Sequence, residues 1–274
     1  MSEVHAPYAL GSEDAELERL ERQAQSIALP TAGLLQASGI GPGMRVLDLG
    51  TGLGHVSLQL AALVGPTGEV VGLERDERML RAAEARRAAA GAANVRYVQG
   101  DARTYRDGEP FDAVVERLVL FHLPDAVDVV RHHLEGLRPG GIVAAIEFDV
   151  GAARTEPPTT LTSSLVPWLV AGFRSVHADP TIGTRIALLL AEAGAAGVTG
   201  FGIQGYLAPD DPAGPALVAG VVSSMSRAIV AAGLVTEAEL DLPTLQERIG
   251  DELRRERAVL LPPTVVGAWG RKPA

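Results

Sequence analysis

Three glycines at alternating positions, Gly50, Gly52 and Gly54, follow an apolar segment that ends near Asp48. The residues after them have helical periodicity, so the order predicts a buried strand, a tight turn and a helix. Such a turn brings backbone N–H groups and a helix N-terminus close to a bound ligand. Because His55 stands where a dinucleotide fingerprint has its third small residue, the glycines alone do not identify the ligand.

Two acids close the strand patterns that follow. Glu74 ends the alternating segment Glu69–Glu74, and Asp101 ends the segment Val95–Asp101. In a doubly wound sheet, the first of these acids lies beside the glycine turn. There its two oxygens can accept hydrogen bonds from both hydroxyls of a ribose. The pattern therefore predicts a site for a nucleoside at one edge of a parallel sheet.

The chain resembles the class I S-adenosylmethionine-dependent methyltransferases over roughly residues 40–150. The resemblance is carried by the LDLGTGLG turn, the acid of GLE, the acid of GD before Ala102, and the LRPGG turn before a fifth strand. It implies an α/β fold, a Rossmann-like doubly wound sheet of seven strands with a helical cap. The last strand is expected to run antiparallel, between strands five and six. S-adenosylmethionine is the implied cofactor.

The resemblance also implies roles for individual residues. Asp48 is expected to hold the amino-acid end of the cofactor directly, through water, or by bracing the glycine turn; bracing alone is the alternative. Glu74 is expected to bind the ribose. Asp101 would receive the adenine amino group, with a backbone N–H from Ala102, or would only cap a helix. The other residues expected at the cofactor are Gly50, Gly52, Gly54, Arg75, Met79 and the backbone of Glu116, Arg117 and Leu118. For Arg75 and Met79 the alternative is a position on the surface, away from the cofactor.

The N-terminal segment is similar to the cap of many bacterial small-molecule methyltransferases. In that cap a tyrosine and a helix-borne glutamine close over the cofactor, and by position these are Tyr8 and Gln23. The alternative is that this helix packs against the domain or against a partner subunit, as in a homodimer.

His122 is the candidate catalytic base. If the acceptor is a hydroxyl, a base must take its proton, and His122 follows the fourth strand, beside the expected methyl group. The alternative is a solvent-facing or structural histidine, and His132 and His133 are expected to be surface or packing residues. Glu147 and Asp149 lie two residues apart on the fifth strand and so share a face. Because no third ligand stands at a recognisable spacing, no metal site is expected.

We expect a methyltransferase that acts at oxygen on a small, apolar or aromatic acceptor, bound by the N-terminal helix, Leu161–His177 and the helices of 211–258. ERLV stands where amine methyltransferases of adenine and glutamine carry D-P-P-Y or N-P-P-Y, which removes that substrate class. The alanine-rich, lysine-poor composition favours a natural-product pathway. Open alternatives are methylation at nitrogen or carbon, a non-methylating reaction such as cyclisation, and a non-catalytic cofactor-binding subunit.

Length, composition and charge limit the domain organisation, the partners and the location of the protein. The 274 residues suit one structural domain, divided into an N-terminal helical cap (1–40), a cofactor-binding core (41–150) and a segment that completes the sheet and caps the acceptor site (151–274). A net charge of −10 without a basic cluster argues against nucleic acid. No apolar run approaches ~18 residues, which argues against a membrane span. With no cysteine and no signal-peptide pattern at the N-terminus, a cytoplasmic protein is expected.

Overall fold

Apolar segments alternate with helical segments along the chain, and they form a parallel sheet with helices packed on its faces. The structure is a computed structural model that describes residues 13–273. The strands are β1 (Arg45–Leu49), β2 (Glu69–Glu74), β3 (Val95–Gln99), β4 (Phe111–Arg117), β5 (Leu137–Asp149), β6 (Arg154–Glu156), β7 (Ala196–Ile203), β8 (Val259–Leu261) and β9 (Thr264–Arg271). The helices are α1 (Glu13–Ser26), α2 (Ala28–Ala37), α3 (His55–Val64), α4 (Glu77–Ala90), α5 (Ala126–Glu135), α6 (Thr160–Ser175), α7 (Ile186–Glu192), α8 (Ala213–Ala231), α9 (Glu237–Leu240) and α10 (Leu242–Glu256).

The large sheet has seven strands in the order β3-β2-β1-β4-β5-β9-β7. Strands β1 to β5 pair in parallel, and β9 runs antiparallel to both of its neighbours, β5 and β7. The prediction of a final antiparallel strand between the fifth and sixth strands of this sheet is therefore confirmed. Strands buried on both faces read as continuous apolar runs, which is why the sequence pattern was clear in this part of the chain.

The chain forms two compact units. The sheet unit contains Ile27–Ala153, His177–Gly205 and residues 263–273. Its core has two apolar clusters, one on each face of the sheet. Val114 on β4 belongs to the cluster that includes residues of α5 and α7, and the adjacent Val115 belongs to the cluster that includes residues of α2 and α3.

The helical unit contains α1, Arg154–Val176 and Tyr206–Pro262. Within it α8 packs closely on α6, since a Cβ added to Gly172 would lie 2.8 Å from Ile229 Cγ1. Strands β6 and β8 pair there as a separate two-stranded sheet. Helix α8 is long and apolar enough to cross a membrane, but a single helix of this kind is weak evidence, because the core helix of a soluble protein can have the same composition.

Several element boundaries differ from the sequence prediction. The apolar run Phe111–Pro124 predicts a fourth strand over its whole length, yet β4 ends at Arg117 because Leu118 has a φ of 58°, outside the extended region. A short 3-10 turn, Leu120–His122, follows it. Apolar residues at helical spacing predict helix over residues 12–38, interrupted at Pro30. The structure has two helices there, and Pro30 lies in the first turn of α2, where its missing N–H leaves no helical bond unmade.

The helical periodicity of Glu237–Leu260 predicts one continuous C-terminal helix. It breaks at Asp241, which has a φ of 43°, and α10 ends at Glu256. The following residues form β8, whose pairing with β6 was not predicted. By contrast, Asp76 as N-cap and Gly91 as a stop predict a helix over Glu77–Ala90, and α4 has these bounds. Asp76 accepts a hydrogen bond from the Arg78 N–H, and Gly91 ends the helix in the left-handed region.

Candidate active site

The glycine turn connects β1 to α3 at the carboxyl edge of the sheet. Gly50, Gly52 and Gly54 all have positive φ, at 69°, 53° and 82°. A Cβ on Gly50 would lie 2.5 Å from Val119 Cγ2, and one on Gly54 would lie 2.4 Å from the Tyr97 hydroxyl. A Cβ on Gly52 would meet no atom within 4 Å. The outer glycines are therefore packed against the protein, and the middle one has open space beside it for a ligand.

Asp48 braces this turn from beneath. Its side chain is buried, and Oδ2 accepts hydrogen bonds from Thr51 Oγ1 at 2.6 Å and from Ser57 Oγ at 2.5 Å. Burial raises the pKa of the Asp48 carboxyl, against the effect of these hydroxyl donors. These two hydrogen bonds agree with the bracing role of this acid, because Thr51 lies in the glycine turn and Ser57 lies in the first turn of α3. A contact with the cofactor remains a prediction.

Glu74 meets the middle of the glycine turn. Its Oε2 accepts from the Gly52 N–H at 3.1 Å, and its Oε1 accepts from the N–H groups of Arg75 at 2.8 Å and Asp76 at 3.0 Å. A carboxylate has about four lone-pair sites, so it can accept further hydrogen bonds from a ribose. Arg75 is exposed, whereas Met79 is buried on α4. Their proximity to adenine and ribose remains a prediction.

The loop after β3 is held by its own backbone and by a buried histidine. Asp101 Oδ1 accepts from the Arg103 N–H at 2.8 Å. His133 on α5 bonds the Ala102 carbonyl through Nε2 at 2.7 Å. Burial lowers the pKa of His133 to about 4, so its ring is neutral and its N–H donates to that carbonyl. The expected packing role of His133 agrees with this contact, although its connection to the loop of Asp101 and Ala102 was not foreseen.

The segment after β4 carries the next predicted residues. Arg117 is largely buried, which lowers its pKa, and its Nη1 donates to Thr31 Oγ1 at 3.3 Å. The Leu118 N–H donates to the Ile146 carbonyl at 3.0 Å and is therefore not available to a cofactor. Glu116 is buried, with Oε2 accepting from the N–H groups of Val119 and Leu120.

Glu147 belongs to this segment rather than to a site shared with Asp149. Its Oε1 accepts from the Phe121 N–H at 3.0 Å, whereas Asp149 Oδ2 accepts from Thr184 Oγ1 at 2.8 Å. Burial raises the pKa of Glu147 well above its ordinary value, and the nearby carboxyl of Glu116 raises it further. Burial likewise raises the pKa of Glu116 to about 7. Sequence reasoning noted the face of Glu147 but not its relation to Glu116.

His122 ends the 3-10 turn. Its side chain is exposed, and its ring packs against Phe121 with 3.7 Å between ring centroids. Gln23 lies in the helical unit, where its Oε1 accepts from Arg19 Nη1 at 2.7 Å. Tyr8 lies outside the described residues. Within residues 13–273 no group of three or more metal-ligating side chains could hold a metal ion.

A family model described as a methyltransferase domain matches residues 40–182. Among curated proteins, the chain is 38% identical over 117 residues to the ubiquinone/menaquinone biosynthesis C-methyltransferase UbiE of Ectopseudomonas mendocina, which covers 42% of this chain and 45% of that protein. It is 36% identical over 107 residues to the demethylmenaquinone methyltransferase of Lactococcus lactis, covering 38% of this chain and 42% of that one. The chain thus spans less than half the length of these relatives.

Solved structures share the fold at low sequence identity. The YcgJ protein of Bacillus subtilis aligns with a TM-score of 0.54 and 18% identity, over 89% of this chain and 98% of that one. Phosphoethanolamine N-methyltransferase 2 of Haemonchus contortus, in complex with S-adenosylhomocysteine, aligns with a TM-score of 0.57 and 18% identity, over 89% of this chain and 52% of that one. The [4+2]-cyclase SpnF aligns with a TM-score of 0.51 and 16% identity, over 91% and 83% of the two chains.

Proposed function

This chain belongs to the class I S-adenosylmethionine-dependent methyltransferases, and we propose that it methylates a small molecule at oxygen, with His122 as the base. One observation supports the base. The segment after β4 contacts the glycine turn through Val119 and Gly50, and it ends in an exposed imidazole three residues further on. A general base must reach both the acceptor and the site of methyl transfer, and this position suits that requirement.

The residues around the glycine turn fit the cofactor. The open side of Gly52 offers backbone to the ligand, Glu74 offers acceptor oxygens to a ribose, and Asp101 follows the next strand, where an adenine would lie. We propose that Gly50 and Gly54 shape the turn and that Asp48 keeps it rigid. When bound, S-adenosylmethionine supplies an electrophilic methyl group on a sulfonium.

The chain's own part in the reaction is to align the acceptor and to move one proton. Alignment of two reactants lowers the entropic barrier to an in-line displacement. The neutral imidazole of His122 accepts the hydroxyl proton of the acceptor at a ring nitrogen. Because His122 is exposed, that proton can then pass to solvent.

We propose an apolar or aromatic acceptor. Two helices of the helical unit, α6 and α8, carry few charges, since Arg174 is the only charged residue of α6 and Arg227 the only one of α8, whereas α1 and α10 are rich in charged residues. Apolar linings with few polar groups are typical of pockets for such ligands. From the alanine-rich composition we also propose a role in natural-product biosynthesis.

Methylation at carbon is the second candidate. It is favoured by the names of the relatives, which are quinone C-methyltransferases and demethylmenaquinone methyltransferases. Their similarity covers 42% or less of this chain. It therefore supports a shared cofactor more strongly than a shared methyl acceptor. The alignment with a cyclase concerns the fold alone and gives cyclisation no separate support.

The test is the variant His122→Ala, assayed by release of S-adenosylhomocysteine from a panel of phenols and hydroxyquinones. We expect turnover to fall by about 10² to 10⁴, with cofactor affinity nearly unchanged. His132→Gln is the matched control, because a glutamine can keep the bond to the Tyr105 carbonyl. Turnover near the parental value would reject His122 as the catalytic base, and methylation at carbon would become the preferred function.

A further inference from the structure

Two buried glutamates lie together on one face of the sheet. β4 and β5 are parallel neighbours, and Glu116 is in register with Ala145, so Glu147 lies two residues further along the same face. The exposed fraction of the side chains is 3% for Glu116 and 0% for Glu147. The surrounding residues of that face are apolar and include Val114, Leu120 and Ala145.

The two carboxyls bind three consecutive backbone N–H groups. Glu116 Oε2 accepts from Val119 at 3.1 Å and Leu120 at 3.3 Å, and Glu147 Oε1 accepts from Phe121 at 3.0 Å. Within the described part of the chain, the other oxygens, Glu116 Oε1 and Glu147 Oε2, are buried and have no further partner. Two adjacent carboxylates cannot both stay ionised in such a place.

A single proton resolves this conflict. One proton shared between the carboxyls would give the two unpartnered oxygens, Glu116 Oε1 and Glu147 Oε2, a donor and an acceptor. Burial raises the pKa of both groups, and it raises that of Glu147 well above its ordinary value, which favours Glu147 as the protonated donor and Glu116 as the charged acceptor. Each backbone N–H then has a carboxyl oxygen, and one negative charge rather than two is buried. The pair titrates as a unit.

Apart from the pair, the backbone of this segment is held by the Leu118 N–H bond to the Ile146 carbonyl at 3.0 Å and by the Asp179 N–H bond to the Phe121 carbonyl at 2.8 Å. Leu118 has a positive φ, which disfavours a non-glycine residue, and the residues after it leave the sheet. Val119 packs against the glycine turn at Gly50, and His122 follows directly. The position of this segment therefore affects both the cofactor side and the proposed base.

We propose that Glu116 and Glu147 form a one-proton carboxyl pair that positions the segment Leu118–His122 for cofactor binding and catalysis. The part that concerns His122 rests on the proposed function. Loss of the shared proton would place two negative charges side by side and release the N–H groups of Val119, Leu120 and Phe121. The segment should therefore loosen as the solution becomes alkaline.

Other charged groups on the neighbouring elements are engaged elsewhere. Arg117 on β4 bonds Thr31, and Asp149 on β5 accepts from Thr184. Asp179 lies just before the 3-10 turn Ile182–Arg185 and forms a salt bridge with Arg185. On β1, Asp48 is held by Thr51 and Ser57. His122 is exposed at the end of the positioned segment.

The experiment compares the parent protein with Glu147→Gln, Glu147→Ala and the control Glu135→Gln, an exposed glutamate on α5. The glutamine reproduces the protonated form, since its N–H₂ can donate to Glu116 and its oxygen can accept from Phe121. We would measure amide hydrogen exchange at Val119–Phe121 from pH 6 to 9, corrected for the intrinsic rise in exchange rate. S-adenosylhomocysteine affinity would be measured by calorimetry over the same range.

In the parent, opening of the segment should rise by up to about tenfold per pH unit while the closed pair still holds its proton, because one proton is released on opening, and it should level off once the closed pair has lost that proton. Cofactor affinity should fall over the same range. Glu147→Gln should stay protected at all pH values and bind S-adenosylhomocysteine within about threefold of the parent at pH 7, well below a tenfold change. Glu147→Ala should lose protection at neutral pH, and Glu135→Gln should behave as the parent.

An infrared band of a protonated carboxyl, shifted by ¹³C-glutamate and lost in Glu147→Gln, would give direct evidence of the shared proton. The proposal is overturned if Glu147→Gln follows the parental pH course, or if it exposes the segment as fully as alanine does. If the parent fails to bind S-adenosylhomocysteine, the proposed function fails, whereas the exchange measurement still decides the role of the pair. Should the alanine variant not fold, Glu147→Gln carries the test alone.

Discussion

At the residue scale, the carboxylate of Glu74 already takes part in the structure of the glycine turn, and we propose that it also binds a ribose. Its oxygens already accept hydrogen bonds from Gly52, Arg75 and Asp76, and these bonds join the glycine turn to the start of α4. A ribose would bond the remaining lone pairs of the same carboxylate. The residue therefore shapes the glycine turn without a ligand, and its removal should alter the turn as well as the proposed bonds to a ribose.

We expect Glu74→Ala to weaken S-adenosylhomocysteine binding by at least about tenfold, since each charge-assisted bond is worth roughly 1.5–3 kcal/mol. Calorimetry on the folded variant gives the measurement. Glu77→Ala, an exposed acid in the first turn of α4, is the control and should bind as the parent does. Unchanged affinity in Glu74→Ala would defeat the ribose assignment.

At the scale of elements, helix ends are completed by residues distant in sequence. The first residue of α6 is preceded by Thr159, whose side chain makes no capping bond. Glu252 on α10 takes that role, since its oxygens accept from Leu161 N–H at 2.9 Å and Thr162 N–H at 3.3 Å. A carboxylate at a helix N-terminus also interacts favourably with the helix dipole. This contact ties two helices of the helical unit together.

Glu252→Ala should lower the free energy of unfolding by about 1.5–3 kcal/mol, because it leaves buried N–H groups without an acceptor. Urea unfolding followed by circular dichroism would measure the change. Glu256→Ala, at the exposed end of the same helix, should change stability by less than about 0.5 kcal/mol. Equal effects of the two substitutions would show that the bonds to α6 contribute little.

At the scale of the whole molecule, two buried titrations oppose each other. The pKa of His133 is lowered to about 4, so between about pH 4 and 6.5 the unfolded chain binds more protons and stability is lost as pH falls. The pKa of Glu116 is raised to about 7 and that of Glu147 is raised as well. For these acids the folded state binds more protons, so stability falls as pH rises from about 4.5 through the folded values.

His133→Gln should separate the two effects. A glutamine can still donate to the Ala102 carbonyl but does not titrate. The loss of stability that His133 causes as pH falls from about 6.5 to 4 should therefore disappear. Relative to the variant, the parent should lose up to about 1.4 kcal/mol per pH unit between pH 6.5 and 4. Both proteins should keep the decline above pH 6.5 that the carboxyl pair causes. Parallel stability curves over the whole range would contradict a neutral buried His133.

Much of the sheet unit could be predicted because its signals are local. β2 and α4 have the predicted bounds, since strand alternation, the Asp76 cap and the Gly91 stop act within a few residues. The glycine turn and Glu74 were predicted as neighbours, and the Gly52–Glu74 hydrogen bond brings them together. Spacing along parallel strands sufficed for this, because their carboxyl ends meet at one edge of the sheet.

The tertiary structure decided the rest. The apolar run after Arg117 reads as continued strand, but Glu116 and Glu147 hold its N–H groups in a turn. The cap of α6 likewise comes from Glu252, about ninety residues away in the chain. A sequence pattern reports the hydrogen bonds that a segment can make with itself and the face that it buries. Which distant carboxyl reaches an N–H depends on strand register and helix packing, and these exist only once the chain has folded.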